Sequence, residues 1–364
     1  MLGQPDPLWS LVRTRWGFLL LDRKGVAGLL AHVDGMPLPP ADALGRLSWR
    51  DQPHRARAEA VARRSAVARA PVWGLDRLLR RLPRSGCYLN LGHMNLTSRV
   101  FSALRGCGWQ SVVLVHDAIP LDHPTLARAG TVPVFARKLA AVSAGADRVI
   151  CTTEDARARV ATHLARAGRV PPMAVAPLGV DLAAAGALPP GFDAETPFFL
   201  CLGTIEPRKN HAILLDVWAR LADPPRLVIV GARGWAEPEL LARLDARPQA
   251  IEEWPGLTDA QVAALMARAQ ALLFPSLAEG FGLPLMEAAA QGLPVIASDL
   301  AVFRELAGDY PVYLAATDVY AWQETIQGRT RAGQQGQGSA VPARVGIAIP
   351  TWADHFNAVL TTVC

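Results

Sequence analysis

The chain has 364 residues, of which 51% are hydrophobic and 19% charged, so it is long enough for two domains of ordinary size with buried cores. The net charge of +5 is modest and carries no pattern of interleaved basic and aromatic residues, which argues against nucleic-acid binding. No apolar run approaches the roughly 18 residues of a membrane span, and the N-terminus lacks the pattern of a signal peptide, so we expect a soluble cytoplasmic protein.

The cysteines are scattered along the chain and show neither a CxxC pair nor a metal-binding spacing. Cys151 and Cys201 lie inside apolar runs, where cysteine usually acts as a small buried hydrophobe. This usage favours a reducing compartment and predicts no structural disulfide.

The first 85 residues carry few signals of secondary structure. RWGFLLLD (15–22) predicts a strand, and ARAEAVARRSAVARA (56–70) predicts a helix with arginines over much of its surface. From residue 87 onward, short apolar runs alternate with amphipathic stretches. The predicted strands are 87–91, 111–117, 147–152 and 173–178, and the predicted helices between them are 96–106, 131–145 and 154–167.

A second series of the same kind begins at residue 197. Its predicted strands are 197–204, 226–231, 271–276, 294–298 and 311–314, and its predicted helices are 209–222, 237–246, 258–269, 284–291 and 317–327. The stretch 328–343, rich in Gln, Gly and Arg, is expected to be an exposed loop. TWADHFNAVLTTV (351–363) has apolar residues spaced for a terminal helix.

The stretch GVDLAAAGALPPGFDAET (179–196) separates the two series and has the composition of a linker. We therefore predict an N-terminal domain over 1–180, a C-terminal domain over 197–345, and a helix within 346–364 that packs back on the N-terminal domain. Repeated strand–helix alternation predicts an α/β protein with two doubly wound parallel sheets facing a cleft. Ligands in such sheets lie beyond the carboxyl ends of the strands.

Two glutamates stand eight positions apart in FPSLAEGFGLPLMEAAAQGLPVIASD (274–299). Glu279 lies in a glycine turn after a predicted strand, and Glu287 lies on the following helix, whose N-terminus is suited to an anion. The amides of the turn can approach a ligand closely because Gly280 and Gly282 add no side chain. The arrangement suits a nucleotide-activated sugar, with a phosphate at the helix end and hydroxyls at the carboxylates. The alternative is a capping glutamate in an ordinary turn.

Two further segments place polar side chains at strand ends. GTIEPRKN (203–210) ends a strand with Arg208 and Lys209, which can neutralise a diphosphate; the alternative is a solvated basic turn. In VHDAIPLDHP (115–124), His116 and Asp117 finish a strand of the first domain and would project into the cleft, where His116 could orient a donor sugar or carry a proton. The alternative there is a structural His–Asp pair.

Other familiar site patterns are absent from the sequence. It contains no Asp-x-Asp pair for a metal bound to a diphosphate, and neither a G-x-G-x-x-G nor a GK[ST] loop. The absence of these two loops argues against a dehydrogenase and against an ATPase.

Together, EGFGLPLMEA, GTIEPRKN and VHDAIPLDHP resemble the retaining glycosyltransferases of family 4, in particular their mannosyltransferase-like members, which have the GT-B fold. WPGLTDAQV (254–262) is similar to the turn and helix that flank the nucleotide base in that family. The resemblance runs from about residue 87 towards the C-terminus. It departs from the family at the start of the chain, where we expect the N-terminal domain to lack its first strand and glycine loop.

The resemblance implies roles for particular residues. Glu287 would hold the ribose diol, and Glu279 would contact hydroxyls of the donor sugar as a catalytic residue. His116 would face that sugar as the second catalytic residue. The remaining expected donor-binding residues are Gly203, Arg208, Lys209, Gly280, Phe281, Gly282 and Leu283, with the amides of Phe281 to Leu283 binding sugar and phosphate.

The function that the resemblance implies is metal-independent transfer of a hexose, such as mannose, from a nucleotide diphosphate sugar to a hydroxyl of a glycan or a lipid-linked acceptor, with retention. No metal and no cofactor are expected. A basic helix on the first domain suits peripheral contact with the inner face of the cytoplasmic membrane, the alternative being a solvated face. The rival functions are an inactive relative that binds nucleotide sugar as a partner or regulatory protein, and a nucleotide-sugar epimerase.

Overall fold

The computed structural model describes residues 7–334 and 347–363, with the side chains of Gln334 and Val363 left out. The chain forms two compact units. Unit 1 takes the described residues up to Val113 together with Ala141–Asp147, and unit 2 takes Leu114–Ala140 and the described residues from Arg148 onward. The predicted stretch 179–196 lies within unit 2, and the domain boundaries predicted from sequence remain a prediction.

Unit 1 begins with an antiparallel sheet of three strands in the order β1-β2-β3. The predicted strand at 15–22 is confirmed as β2. The predicted helix at 56–70 ends at Ser65, because residues 68–70 pair with β2 instead. The elements are β1 (Ser10–Thr14), β2 (Gly17–Leu21), α1 (Arg23–Val33), α2 (Ala43–Ser48), α3 (Pro53–Ser65), β3 (Ala68–Ala70) and α4 (Leu75–Leu79).

Arg63 on α3 is buried rather than on the surface that the sequence predicted for the arginines of this helix. It donates to Glu59 at 2.7 Å and to Asp42 at 2.6 Å. Burial of this arginine is tolerated because the two carboxylates compensate its positive charge. The contact ties α3 to the N-cap of α2, since Asp42 also accepts from the amide of Gly45.

The predicted strand–helix alternation is confirmed from β4 (Gly86–Asn90) through α5 (Ser98–Gly106) to β5 (Trp109–Val115), with β4 and β5 parallel. The chain continues through α6, α7, β6, α8 and β7, and β6 pairs in parallel with β7. The bounds are α6 (Ile119–Asp122), α7 (Thr131–Gly145), β6 (Arg148–Cys151), α8 (Glu154–Arg166) and β7 (Met173–Val175).

The larger sheet of unit 2 has six parallel strands in the order β10-β9-β8-β11-β12-β13. Its strands are β8 (Phe198–Leu202), β9 (Arg226–Val230), β10 (Ile251–Glu253), β11 (Ala271–Phe274), β12 (Val295–Ser298) and β13 (Val312–Leu314). The chain runs outward from β8 on one side and then crosses to β11 on the other. This is the strand order of a doubly wound nucleotide-binding sheet, in which ligands bind where the order reverses.

The helices of this sheet follow the predicted positions, with one addition, α13, and one longer helix, α14. Because α14 reaches Gln334, the loop expected over 328–343 starts later than predicted, and its remainder lies outside the described residues. The helices are α9 (His211–Trp218), α10 (Pro238–Asp245), α11 (Asp259–Met266), α12 (Leu283–Gln291), α13 (Ala301–Ala307), α14 (Val319–Gln334) and α15 (Trp352–Val363).

The segment 179–196 is irregular, as predicted, but it is anchored to the core of unit 2. Phe192 packs edge to face on Phe198 and Trp254, with ring centroids 5.2 and 5.5 Å apart. The terminal helix α15 contacts the residues that precede the segment 179–196: the imidazole of His355 is 3.0 Å from the carbonyl oxygen of Pro177. Among the described residues, none of the helices has the length and apolar character that crossing a membrane requires.

Candidate active site

The reversal point between β8 and β11 opens on a cavity of about 580 Å³ within unit 2. Three segments that follow strand ends form much of its wall. They are the segment after β5, which begins with His116, the segment after β8, which carries Arg208 and Lys209, and the glycine turn after β11. The sequence motifs therefore converge at one place, although they are far apart along the chain.

Glu279 is the centre of the site. Its Oε2 accepts from Arg208 Nη1 at 2.6 Å, and its Oε1 accepts from Lys209 Nζ at 2.6 Å and from the hydroxyl of Ser276 at 2.8 Å. The carboxylate is 8% exposed. Charge-assisted bonds of this length orient both cations firmly, so the first task of Glu279 in this structure is to position Arg208 and Lys209.

A second carboxylate shares Arg208. Glu206 is buried and accepts from the Arg208 guanidinium at 2.8 Å, and Arg208 also donates to the carbonyl of Ala278. Two cations, Arg208 and Lys209, are thus balanced by two carboxylates. This balance limits the cost of holding four charges in a partly desolvated site.

The backbone around the two cations is held in an uncommon conformation. Asn210 has φ +54°, and its side-chain amide donates to the carbonyls of Pro275 at 3.1 Å and Ala316 at 2.9 Å. Asparagine tolerates the left-handed region better than most residues. These bonds tie the turn after β8 to the ends of β11 and β13, which sets the position of Lys209.

The EGFG turn needs its glycines for two different reasons. A Cβ at Gly280 would come within 2.9 Å of the Asp117 side chain, so this glycine allows the turn to pack directly on the segment after β5. Gly282 has φ +104° and starts α12, where a Cβ would also meet the ring of Phe303 at 2.8 Å. Leu283 and Pro284, the first two residues of α12, line the cavity.

His116 and Asp117 lie directly after β5, which ends at Val115 and so is shorter than the predicted strand 111–117, and both belong to unit 2. Burial raises the pKa of the Asp117 carboxyl, while the Ile119 amide and the charge of Arg208 act in the opposite direction. The hydroxyl of Thr152 lies within hydrogen-bond distance of the carbonyls of both His116 and Gly280, at 3.2 and 3.3 Å. One hydroxyl thereby joins the histidine segment to the glycine turn.

Glu287 lies on the same face of α12 as Leu283 and Pro284, which line the cavity, but it stands one turn further along and is not part of the cavity wall. Burial raises the pKa of the Glu287 carboxyl, and the nearby charge of Asp259 adds to the rise. No hydrogen-bond partner for Glu287 occurs in the described part of the chain, so its carboxylate is available to a ligand. Asp259 begins α11, the helix of the WPGLTDAQV segment.

Of the predicted site residues, eight line the cavity: His116, Arg208, Lys209, Glu279, Gly280, Phe281, Gly282 and Leu283. Glu287 and Gly203 lie outside its wall. Gly203 has φ +136°, and a Cβ there would be 3.1 Å from the Lys209 side chain, so it makes room for that lysine. The wall residues Thr204, Glu206 and Trp235 were not predicted, because nothing in their local patterns distinguishes them from loop residues. Over residues 7–334 and 347–363 no group of three or more metal-ligating side chains occurs.

Comparison with known proteins agrees with this fold. Residues 196–328 match the model of the family of glycosyl transferases group 1. Two solved structures are similar in fold. One is HepE from Anabaena in complex with UDP-glucose, with a TM-score of 0.61 and 17% identity over 80% of this chain and 82% of that chain. The other is sucrose-phosphate synthase from Thermosynechococcus elongatus, with a TM-score of 0.58 and 19% identity over 76% of this chain and 72% of that chain. These solved structures show that the chain has the GT-B fold of glycosyltransferases.

The relatives found by sequence similarity are glycosyltransferases, among them mannosyltransferases. The chain is 34% identical over 235 residues to the serotype-specific mannosyltransferase WbdA of Escherichia coli, across 58% of this chain and 29% of that protein. It is 35% identical over 214 residues to the D-inositol 3-phosphate glycosyltransferase of Streptomyces bingchenggensis, across 51% of this chain and 46% of that protein. The chain therefore spans less than a third of the WbdA relatives that it matches, and the predicted mannosyltransferase-like resemblance is confirmed.

Proposed function

We propose that the protein is a retaining, metal-independent glycosyltransferase that moves a hexose from a nucleotide diphosphate sugar to a hydroxyl of a glycan or glycolipid acceptor in polysaccharide biosynthesis. The observation that carries the proposal is the pair Arg208 and Lys209 held by Glu279 beside the N-terminus of α12. Two oriented cations and a helix end form a site for a diphosphate.

In this proposal, the diphosphate of the donor lies between the two cations and the amides of Phe281 to Leu283. As the bond between sugar and phosphate breaks, negative charge grows on the departing diphosphate. Groups that are already aimed at that charge stabilise the transition state without reorganising. Arg208 and Lys209 supply this stabilisation in place of a metal ion, and no cofactor takes part.

Retention follows in the proposal from attack by the acceptor on the face that the diphosphate leaves. A double displacement would need a free carboxylate as nucleophile. Both oxygens of Glu279 already accept from Arg208, Lys209 or Ser276. Asp117 packs against Gly280 and caps the amide of Ile119. Neither carboxylate is therefore poised for covalent attack, and His116 faces the sugar from the opposite wall as an orienting group.

The substrate classes rest on the relatives. HepE was solved with UDP-glucose, and WbdA is a mannosyltransferase, which supports a nucleotide sugar as donor and a hexose, mannose first, as the transferred group. The proposed acceptor is the end of a glycan or of a lipid-linked glycan. Transfer from a panel of nucleotide sugars to mannose-terminated acceptors tests the activity. An α-linked product from an α-linked donor, unaffected by EDTA, is expected.

Substituting Glu287 with alanine is expected to weaken nucleotide-sugar binding about tenfold or more, because a half-buried carboxylate that accepts from two ribose hydroxyls would be lost. Calorimetric titration with the preferred nucleotide sugar measures the change. The matched control is Glu239→Ala, which removes an exposed glutamate from α10.

Equal donor affinity in the Glu287→Ala variant and the unmodified protein would remove Glu287 from the donor site. Donor binding without transfer to any acceptor would instead favour the rival function, a nucleotide-sugar-binding partner protein. Release of an epimerised nucleotide sugar would favour an epimerase.

The proposal includes peripheral contact of unit 1 with the anionic inner face of the cytoplasmic membrane. Trp73 is 79% exposed in the turn before α4, and Arg99 donates to the carbonyl of its neighbour Val72 at 3.1 Å. Exposed arginines surround this tryptophan in sequence: Arg69, Arg77, Arg80, Arg81 and Arg84. An exposed indole among cations has the chemistry of an anchor at an anionic lipid surface.

The Trp73→Ala variant is expected to bind vesicles of phosphatidylglycerol about tenfold more weakly than the unmodified protein, because the apolar anchor is lost while the cations remain. Co-sedimentation with vesicles measures the binding, and it should fall further in high salt. Tyr320→Ala removes an aromatic side chain that is 66% exposed on unit 2 and serves as the control. Equal binding by the Trp73 and Tyr320 variants would contradict a membrane contact at Trp73.

A further inference from the structure

The loop after β9 runs beside the loop that carries Arg208 and Lys209. The parallel pairing of β8 and β9 continues past both strand ends, because the amide of Gly203 donates to Val230 and the amide of Ile205 donates to Ala232, at 3.0 and 2.9 Å. The amide of Gly234 then donates back to the carbonyl of Ile205 at 3.0 Å. The segment 231–235 thus continues the hydrogen-bonded pairing of β8 and β9 and is not a loose loop.

Two further features hold this segment in place. Arg233 forms ion pairs with Glu253 and Asp245, both at 2.7 Å. A Cβ at Gly231 would lie 2.0 Å from the carbonyl oxygen of Gly203, and one at Gly234 would lie 2.7 Å from Thr204 Cγ2, so both glycines allow close packing of the two segments. The backbone that follows is therefore pre-organised.

Trp235 is the residue that this rigid segment presents. Its side chain lines the cavity, is 43% exposed, and its indole N–H has no acceptor within residues 7–334 and 347–363. The other aromatic residue of the wall, Phe281, is buried in the core. The indole is therefore exposed in the wall of the cavity, where its ring face is available to a ligand.

The surroundings of Trp235 indicate what that ligand is. Thr204 and the carboxylate of Glu206 line the same cavity on the adjacent loop. They suit hydroxyl groups at the edge of a ring, while an indole face suits a ring whose own face is apolar. A pyranose has this combination of C–H face and hydroxyl edge.

We propose that Trp235 is a stacking platform for a pyranose ring, either the hexose of the donor or the terminal sugar of the acceptor. The inference rests on the proposed function and adds a residue that determines sugar binding. Because the segment is already rigid, the ring is held in place before the ligand arrives, and little side-chain freedom is lost on binding.

The test compares Trp235→Ala and Trp235→Phe with Trp16→Ala, which removes a tryptophan that is 51% exposed in unit 1. Nucleotide sugar and the corresponding nucleoside diphosphate are titrated by calorimetry, and KM is measured for the donor and for a soluble acceptor. Trp235→Ala should raise one sugar-dependent constant about tenfold, with most of the loss restored by phenylalanine. A change in nucleotide-sugar binding identifies the donor hexose, and a change in acceptor KM alone identifies the acceptor.

Unaltered binding of nucleoside diphosphate to Trp235→Ala is also expected, since that ligand lacks the sugar. Weakened binding of nucleoside diphosphate would overturn the inference and assign the indole to the base. A Trp235→Ala variant that matches the unmodified protein in every constant would overturn the inference while leaving the proposed function intact. Unmodified protein that binds no nucleotide sugar would overturn the proposed function itself, and the inference with it.

Discussion

Replacing Glu279 with glutamine is expected to lower kcat about a hundredfold without weakening the binding of nucleoside diphosphate. Glu279 holds Arg208 and Lys209 by one oxygen each, both at 2.6 Å. A glutamine can accept from one of them, but it turns an N–H₂ group towards the other. The cations then lose their fixed aim at the leaving group, while the site becomes more positive by one charge, which favours an anion.

Steady-state kinetics together with calorimetric titration of nucleoside diphosphate measures this separation of turnover from binding. Glu279→Asp keeps the charge on a shorter side chain and should recover part of kcat. Glu239→Gln, on the exposed face of α10, is the matched control. If kcat were unchanged in Glu279→Gln, or if kcat and diphosphate affinity fell together, the positioning role of Glu279 would be wrong.

The second large effect concerns stability below neutral pH. His211 begins α9, directly after Asn210, and is fully buried. Neither ring nitrogen has a hydrogen-bond partner in the described part of the chain. Burial lowers the pKa of His211 to about 4, and the charge of Lys209 adds to this effect, while Glu253 opposes it.

A lowered pKa means that the unfolded chain binds a proton at His211 more readily than the folded chain does. The unfolded imidazole takes up its proton as the pH falls below about 6.5, whereas the folded one stays neutral until about pH 4. Stability is therefore lost as the pH falls between these values. We expect the free energy of unfolding to lose about 2 kcal/mol through this residue between pH 7.5 and pH 5.

Urea unfolding of the unmodified protein and of His211→Leu at both pH values isolates this contribution. The leucine variant should gain about 2 kcal/mol relative to the unmodified protein on going from pH 7.5 to pH 5. His54→Leu, which removes an exposed imidazole from α3, is the matched control. A stability difference between the His211→Leu variant and the unmodified protein that does not change with pH would show that His211 is not held neutral by burial.

Much of the strand and helix pattern could be predicted from residue 87 onward, because buried parallel strands are continuous apolar runs. The run FFLCL of β8, for example, is wholly buried. The prediction failed where a long-range contact decided the outcome. Residues 68–70 continue a helical pattern, yet they pair with β2, since Leu20 lies opposite Ala68. The short strand β10 and the helix α13 were missed because their patterns are too brief to be distinguished from loops.

Part of the candidate site could also be predicted. The glycine turn and the helix of EGFGLPLMEA are local, and the conformation of Gly282 is a local requirement of its turn. The contact of Glu279 with Arg208 was not predictable, because these residues are 71 positions apart and meet only when β8 and β11 pair. Trp235 could not be recognised either, since its position in the cavity wall depends on how the segment after β9 packs against the segment after β8.

The sequence by itself determined the class of this protein and the residue types available for its chemistry, because turns, helix starts and buried strands are set by neighbours a few positions away. Only the tertiary structure decided how those residues act. The reversal of strand order between β8 and β11 brings the cations onto Glu279, and the close approach of Gly280 to Asp117 brings His116 to the same cavity. Such contacts depend on distance in space, and local sequence patterns carry no information about that distance.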